Sequence, residues 1–285
     1  MDQRARAIAA RLQRTVAPGD RVLLLYPPGL EYIAAFFGCI YAGAVAVPAY
    51  PPRHNRNQLR LQTLVTDARA KTALTSTHVL SRMSDRITRD ANLARLSWIS
   101  SDEITNEESD GWCAPHLSGD SLVLLQYTSG STTTPKGVMI NHRNLLSNER
   151  LIEHAFSQSS ESVVVGWLPL YHDMGLIGNI IQPLFVGAPC VLMSPLAFLQ
   201  KPLRWLQAIS RYRATTSGGP NFAYDLCVRK IGEEQLTALD LSSWKVAFNG
   251  AEPIRASTLE AFAEKFALCG FRREAFRPCY GLAEA

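Results

Sequence analysis

The residues best suited to chemistry lie in one short run, Tyr127-Thr128-Ser129-Gly130-Ser131-Thr132-Thr133-Thr134-Pro135-Lys136-Gly137-Val138. Six Ser/Thr hydroxyls and one glycine stand between Tyr127 and Pro135. Small side chains let backbone N–H groups close around a polyanion, and hydroxyls add donors. Lys136 brings a mobile positive charge for phosphate oxygens. The chemistry suggested is triphosphate binding. The run is not a Walker A loop, which needs glycine before its lysine and Ser/Thr after it. Here Pro135 precedes Lys136 and Gly137 follows. Taken alone, such a run reads as a flexible linker. Its flanks favour a phosphate loop: Leu122-Val123-Leu124-Leu125 reads as a buried strand, and the residues after Ile140 as the start of a helix.

Four more strings set small or polar residues against apolar ones. In Gly166-Trp167-Leu168-Pro169-Leu170-Tyr171-His172-Asp173-Met174-Gly175, His172 and Asp173 interrupt apolar sequence. They read either as an acid–base pair or as a satisfied histidine beside a helix-capping aspartate. Ser217-Gly218-Gly219-Pro220-Asn221-Phe222 reads as a backbone that a substrate can approach, or as an ordinary strand-to-helix turn. Asn249-Gly250-Ala251-Glu252-Pro253 offers a flat, small-residue turn, in which Glu252 has helix capping as a competing role. The last string is Tyr280-Gly281-Leu282-Ala283-Glu284-Ala285.

The intervening elements must place these strings together. Residues 2–12 read as an amphipathic helix with Ile8 and Leu12 one turn apart. The strand Val22-Leu23-Leu24-Leu25-Tyr26, a helix ending at Gly43 and the strand Ala44-Val45-Ala46-Val47 make a parallel crossover unit. Residues 57–69 read as a helix with Leu61, Leu64, Val65 and Ala68 on one face, and residues 79–96 as one charged helix. Short strands are expected at 72–75 and 98–99. The acidic, Pro- and Gly-containing stretch 100–119 reads as a boundary, which divides the chain into lobes 1–118 and 119–285. Beyond it, strands are expected at 163–168, 189–193 and 244–248, and helices at 176–185, 203–212 and 257–266. The alternation predicts an α/β fold of layered sheets flanked by helices, with ligand loops gathered at the carboxyl ends of strands.

Composition narrows the class. The chain has 285 residues, 47% of them hydrophobic and 19% charged, as in a soluble globular protein. A net charge of +4 from dispersed basic residues argues against nucleic acid as a partner. The six cysteines form no Cys-x-x-Cys pair and read as reduced thiols of a cytoplasmic protein. Cys113-x-x-His116 is half a metal site with nothing nearby to complete it. Residues 33–49 are uncharged, but Gly38, Gly43 and Pro48 argue against one membrane-spanning helix, so no transmembrane segment is expected.

The string Tyr127-Thr-Ser-Gly-Ser-Thr-x-x-Pro-Lys-Gly-Val138 resembles the phosphate loop of the adenylate-forming enzymes, which include acyl-CoA synthetases and peptide-synthetase adenylation domains, and its surroundings look most like the fatty acyl-AMP ligases. The later strings follow in that family's order. The resemblance implies the large N-terminal domain of such an enzyme, which activates a fatty acid with Mg-ATP to an acyl-adenylate. The acyl group then passes to the phosphopantetheine thiol of an acyl carrier protein; an acyl-CoA ligase, or a non-catalytic nucleotide- or acyl-binding module, are the alternatives. By resemblance, the nucleotide is bound by Thr128, Ser129, Gly130, Ser131, Thr132, Thr133 and Lys136, by the turn Asn249, Gly250, Ala251 and Glu252, and by Tyr280 and Gly281. His172, Asp173, Gly218, Gly219, Pro220 and Asn221 line the substrate path, His172 and Lys136 serve catalysis, and Glu284 ligates Mg²⁺. Many relatives carry Gly at the position of Thr133 and Thr at that of Ala283. The family's ribose-binding aspartate, its hinge and its small C-terminal domain with a catalytic lysine are expected beyond Glu284, so the large domain is read as incomplete.

Overall fold

The computed structural model describes residues 1–51, 58–128 and 136–284. The fold is α/β, with two mainly parallel sheets flanked by helices, as expected. The chain divides into two compact units, Met1–Ser147 and Asn148–Ala285.

The first unit runs α1 (Asp2–Gln13), β1 (Arg21–Leu25), α2 (Leu30–Ala42), β2 (Val45–Ala49), α3 (Gln58–Ala68), β3 (Thr72–Thr75), α4 (Thr77–Arg89), α5 (Ala91–Ala94), β4 (Ser97–Ser100), β5 (Leu122–Thr128) and β6 (Lys136–Asn141). Helix α6 (His142–Phe156) follows and crosses into the second unit. The six strands pair in the order β4-β3-β1-β2-β5-β6. All pairs are parallel except β5 with β6. Val22 to Leu25 and Val45 to Val47 are fully buried, which accounts for their unbroken apolar run: a parallel strand is covered on both faces. Gly43 ends α2 at φ +75°, a left-handed conformation that glycine adopts without steric cost. No helix among the described residues is long and apolar enough to cross a membrane.

Two expectations are corrected here. The helix expected over 79–96 is two helices. Asp90 leaves helical geometry at ψ 108°, and its carboxylate accepts from the amides of Asn92 at 2.9 Å and Leu93 at 3.4 Å to start α5. The boundary expected at 118/119 lies after Ser147 instead, because β5 pairs with β2 through Ala46 and Leu124, and this draws β5 and β6 into the first sheet. The polar stretch before β5 is a strap rather than a linker. Its turn Asn106–Gly111 is held by Glu108, which takes Arg11 Nε at 2.8 Å and Nη2 at 2.6 Å. Trp112 Nε1 donates to the Tyr41 carbonyl at 2.8 Å.

The second unit runs β7 (Val164–Gly166), α7 (Asp173–Leu176), a π-helical turn (Ile177–Ile181), α8 (Gln182–Val186), β8 (Cys190–Leu192), α9 (Pro195–Gln200), α10 (Leu203–Tyr212), β9 (Thr216–Gly219), α11 (Asn221–Lys230), β10 (Val246–Asn249), α12 (Ala256–Phe266) and β11 (Phe276–Pro278). Its five strands are all parallel, in the order β11-β10-β9-β7-β8. One face carries an aromatic core in which Trp205, Tyr224, Trp244, Phe262 and Phe266 are fully buried. Trp205 meets Trp244 edge-on at 5.3 Å, and its indole N–H donates to Ser217 Oγ at 2.8 Å, so the large rings are fixed in place rather than merely enclosed. The single apolar helix expected over 176–185 is α7, the π-turn and α8 in series.

Candidate functional site

In the first unit, β5 and β6 pair as antiparallel strands on either side of the expected phosphate loop in the sequence. Ser129, Gly130, Ser131, Thr132 and Thr133 lie outside the described residues; Thr128 and Lys136 are cross-strand partners. The root of the loop is braced from below. Tyr127 pairs with Gly137, whose missing Cβ would lie 2.8 Å from the Tyr127 ring, and the phenol donates to Asp67 Oδ2 at 2.5 Å. Burial, then the Asp67 carboxylate, pushes the phenol above its usual pKa and keeps it a donor. Lys136 itself is exposed.

In the second unit, the candidate residues gather at the carboxyl ends of parallel strands, where α/β proteins bind ligands. His172 and Asp173 lie after β7 and start α7. Asp173 Oδ1 stands 2.5 Å from His172 Nδ1 and accepts the Met174 amide at 2.6 Å. Nδ1 also lies 3.4 Å from that amide, but one nitrogen cannot donate and accept together, and the shorter contact wins. Aspartate therefore caps the helix and orients the imidazole, which leaves Nε2 as its free edge. The hydrogen bond to Asp173 raises the His172 pKa against the opposing effect of burial. Burial pushes the Asp173 carboxyl up, but His172 and the Met174 amide outweigh it and hold it low.

The structure gives the Gly218-Gly219 pair to the protein's own rings. Both glycines are buried in β9. A Cβ on Gly218 would lie 2.2 Å from the Phe248 carbonyl, and one on Gly219 would lie 2.6 Å from the Trp167 ring. It is neighbouring strands and aromatics, rather than open substrate space, that approach this backbone. Asn221 is likewise engaged: its Oδ1 accepts the Arg255 amide at 3.0 Å and its Nδ2 reaches Thr258 Oγ1 at 3.3 Å. Glu252 Oε1 accepts the Phe222 amide at 2.6 Å, so it caps α11 from across the site. Both side chains brace neighbouring turns. Pro220, half-buried, is the residue of that string at the rim.

The turn after β10 and the chain after β11 come together. The Cys279 amide donates to the Asn249 carbonyl at 2.8 Å, and a Cβ on Gly250 would lie 2.7 Å from the Cys279 carbonyl. Ala251 takes φ +66°, rare for a residue with a Cβ, and holds the turn open. Asn249 is fully buried, and neither its Oδ1 nor its Nδ2 has a protein partner. Next to it Tyr280 is 88% exposed, an aromatic ring with no stacking partner among the described residues. A buried amide without partners beside an unused flat ring fits a planar, hydrogen-bonding ligand. Gly281 and Glu284 follow, both exposed. Among the described residues no three His, Cys, Asp or Glu side chains form a metal cage. Glu284 as a lone carboxylate suits Mg²⁺, which takes one or two protein carboxylates beside phosphates.

Sequence reasoning missed Asn179 on the π-turn. It is 1% exposed, and both side-chain polar atoms lack partners. The available signal was a lone amide inside the apolar run after Gly178.

Comparison with known proteins accords with this geometry. The family model described as AMP-binding enzyme matches residues 1–285. The medium-chain-fatty-acid–[acyl-carrier-protein] ligase JamA of Moorena producens is 50% identical over 289 residues, covering 100% of this chain and 49% of that protein. The long-chain-fatty-acid–AMP ligase FadD23 of Mycobacterium tuberculosis is 38% identical, covering 98% of this chain and 49% of its own length. The crystal structure of a fatty acyl-adenylate ligase from L. pneumophila, in complex with acyl adenylate and pyrophosphate, superposes with a TM-score of 0.92 at 47% identity, covering 99% of this chain and 49% of that one. The chain thus spans about half the length of the relatives it matches.

Proposed function

This chain belongs to the AMP-binding enzyme family, and from that premise we propose that it serves the ATP-dependent activation of a fatty acid to an acyl-adenylate, for transfer to the phosphopantetheine thiol of an acyl carrier protein. The observation that carries this reading is the Asn249–Ala251 turn set against Cys279 and Tyr280: an orphaned buried amide, an open backbone turn and a free aromatic face. Adenine would stack on Tyr280 and meet the Asn249 turn. Lys136 and Thr128, fixed on a paired ladder, would take the outer phosphates. Glu284 would hold Mg²⁺, which supplies charge neutralisation between the two anions that must meet. His172, with its Nδ1 side committed to Asp173, would present Nε2 to the carboxylate path. The transition-state gain is electrostatic, since both reactants are anionic. The small C-terminal domain and the cytoplasmic setting belong to the same proposal.

Two measurements test it. A non-hydrolysable acyl-sulfamoyl adenosine should bind this chain, and fatty-acid-dependent ATP–pyrophosphate exchange should appear in the full-length protein. Lys136→Ala should weaken ATP at least tenfold more than AMP; equal losses would remove Lys136 from the outer phosphates. Transfer to CoA in place of a carrier protein would favour the acyl-CoA ligase reading.

A further inference from the structure

We propose that a cavity between α9, α10 and α11 is a second ligand site, built for a small amphipathic anion; the proposal stands independently of the fatty acyl reading above. The cavity measures about 320 Å³, at the low end of the range of about 300–1,000 Å³ for small-molecule sites. At about 30 Å³ for each water displaced, it has room for roughly ten non-hydrogen atoms. It lies between the end of α9, the start of α10, the second half of α11 and the 3₁₀ turn Glu233–Ala238. Helix α11 starts at Asn221, beside the strand ends, and meets the cavity through Leu226 and its last residue, Lys230. The helix has 10 residues, roughly 15 Å at about 1.5 Å per residue. None of the described candidate nucleotide or substrate residues lines the cavity.

The lining divides by chemistry. Leu199, Leu203 and Leu226 supply an apolar wall, and half of Leu199 is left to solvent. Lys201 and Lys230 supply two cations, and no Asp or Glu stands in the lining. The ordinary structural uses of such lysines are taken by other residues. Asp225, the acid on α11, pairs with Arg229 at 2.6 Å. The carbonyls at the end of α11 are taken by Lys265, whose Nζ reaches Val228 at 2.7 Å and Ile231 at 2.5 Å. Neither Lys201 nor Lys230 has an ion pair among the described residues. Gln235 is oriented by its own turn: Oε1 accepts the Gly232 amide at 3.1 Å, which leaves the NH₂ group as the free edge.

Two exposed lysines alone make a solvated surface. The apolar wall beside them makes this one selective. A head with several oxygen acceptors meets Lys201, Lys230 and the Gln235 amide through charge-assisted hydrogen bonds. A short hydrocarbon tail covers the leucines and removes them from water. Neither half suffices: a bare anion leaves the leucines exposed, and a neutral amphiphile leaves both cations unanswered. A carboxylate and a phosphate head share this chemistry.

The test is calorimetric titration of this chain with octanoate, octyl phosphate, inorganic phosphate and octanol, each with acyl-sulfamoyl adenosine already bound so that the site at the strand ends is filled. An octyl anion should bind at one site per chain, and inorganic phosphate and octanol at least tenfold more weakly. A preference between the two octyl anions tells a fatty carboxylate from a phosphate ester as the source. Both lysines are exposed, so Lys201→Gln with Lys230→Gln leaves the core untouched. That double variant should bind the octyl anions at least tenfold more weakly, while its affinity for acyl-sulfamoyl adenosine stays within twofold. Leu226→Trp, which fills the cavity from its apolar wall, should abolish the binding of both. No binding of either octyl anion to the wild type overturns the proposal, as does octanol binding as tightly as octanoate or an unchanged affinity in the folded double variant. Failure of the wild type to bind acyl-sulfamoyl adenosine overturns the fatty acyl reading alone, and the same titrations on the free chain then decide the proposal.

Discussion

The two faces of the second sheet are built on opposite terms. On one, Trp205, Tyr224, Trp244 and Phe262 interlock edge to face, and the indole donors of Trp205 and Trp244 reach Ser217 Oγ and the Ser217 and Val246 carbonyls. On the other, Asn179 and Glu149 Oε1 are buried without partners, and bare glycines stand at Gly166 and Gly218. Both faces cover the same parallel strands, so the difference is not one of topology. A face packed with rings supplies stability even though the Trp167 indole N–H within it has no partner among the described residues, whereas unpartnered polar groups cost about 1–3 kcal/mol each. That cost is expected only where a ligand or water completes the group.

The comparison can be broken most forcefully on the aromatic side. Trp205→Ala should lower unfolding free energy by about 3–5 kcal/mol, read by urea titration of intrinsic fluorescence or circular dichroism. A loss under about 1 kcal/mol would mean that the ring cluster is not the keystone of this unit. Gly218→Ala should cost about 1–3 kcal/mol by overpacking, since its Cβ would press on the Phe248 carbonyl. Because that obstacle is backbone and not a side-chain tip, Phe248→Ala should fail to rescue it; rescue would show that the ring alone is the limit.

The smallest effect is a dependence on pH. Burial lifts the Glu149 carboxyl from the ordinary range to about 8. Below the unfolded-state value near 4.5 both states are protonated, and the native state bears no penalty. As pH rises from there to about 8, the unfolded chain ionises while the native chain does not, so stability falls. Glu149→Gln should remove this slope, so the wild type should lose stability relative to the variant steadily as pH rises toward 8. Parallel stability curves between pH 5 and pH 8 would show that Glu149 is ionised in its pocket.

These contrasts also mark what the residues reveal by themselves. Strands β1, β2 and β3 were legible because parallel strands covered on both faces leave unbroken apolar runs, and Gly43 announced its own helix end. The Asn249 turn and Tyr280 stood out as candidates because small and aromatic residues stand where a strand has just ended. The break at Asp90 was not, since a capping carboxylate in a charged helix looks like any other surface acid. The close packing at Gly218 and Gly219 was hidden because spacing shows only that room is needed, while the Phe248 backbone and the Trp167 ring that take the room lie 30 residues later and 52 residues earlier. The bracing contacts of Asn221 and Glu252 were hidden for the same reason: their partners, Arg255 and Thr258 for one and Phe222 for the other, are distant in the chain. Strand β11 and helix α11 carry too few periodic residues to show before the fold supplies their neighbours.

The pairing of Thr128 with Lys136 carries a further consequence for how this protein can drift. Side chains on a strand alternate in direction with a period of two. One residue inserted between Lys136 and the pairs that follow would turn the lysine to the other side of the hairpin, while the composition of the loop stayed intact. One residue inserted between Thr128 and Lys136 only lengthens the span, for which the entropy of closure rises slowly. Natural variation should therefore accumulate insertions before the lysine and almost none in the few positions after it, and an engineer grafting the hairpin should treat Lys136 to Asn141 as a fixed cassette.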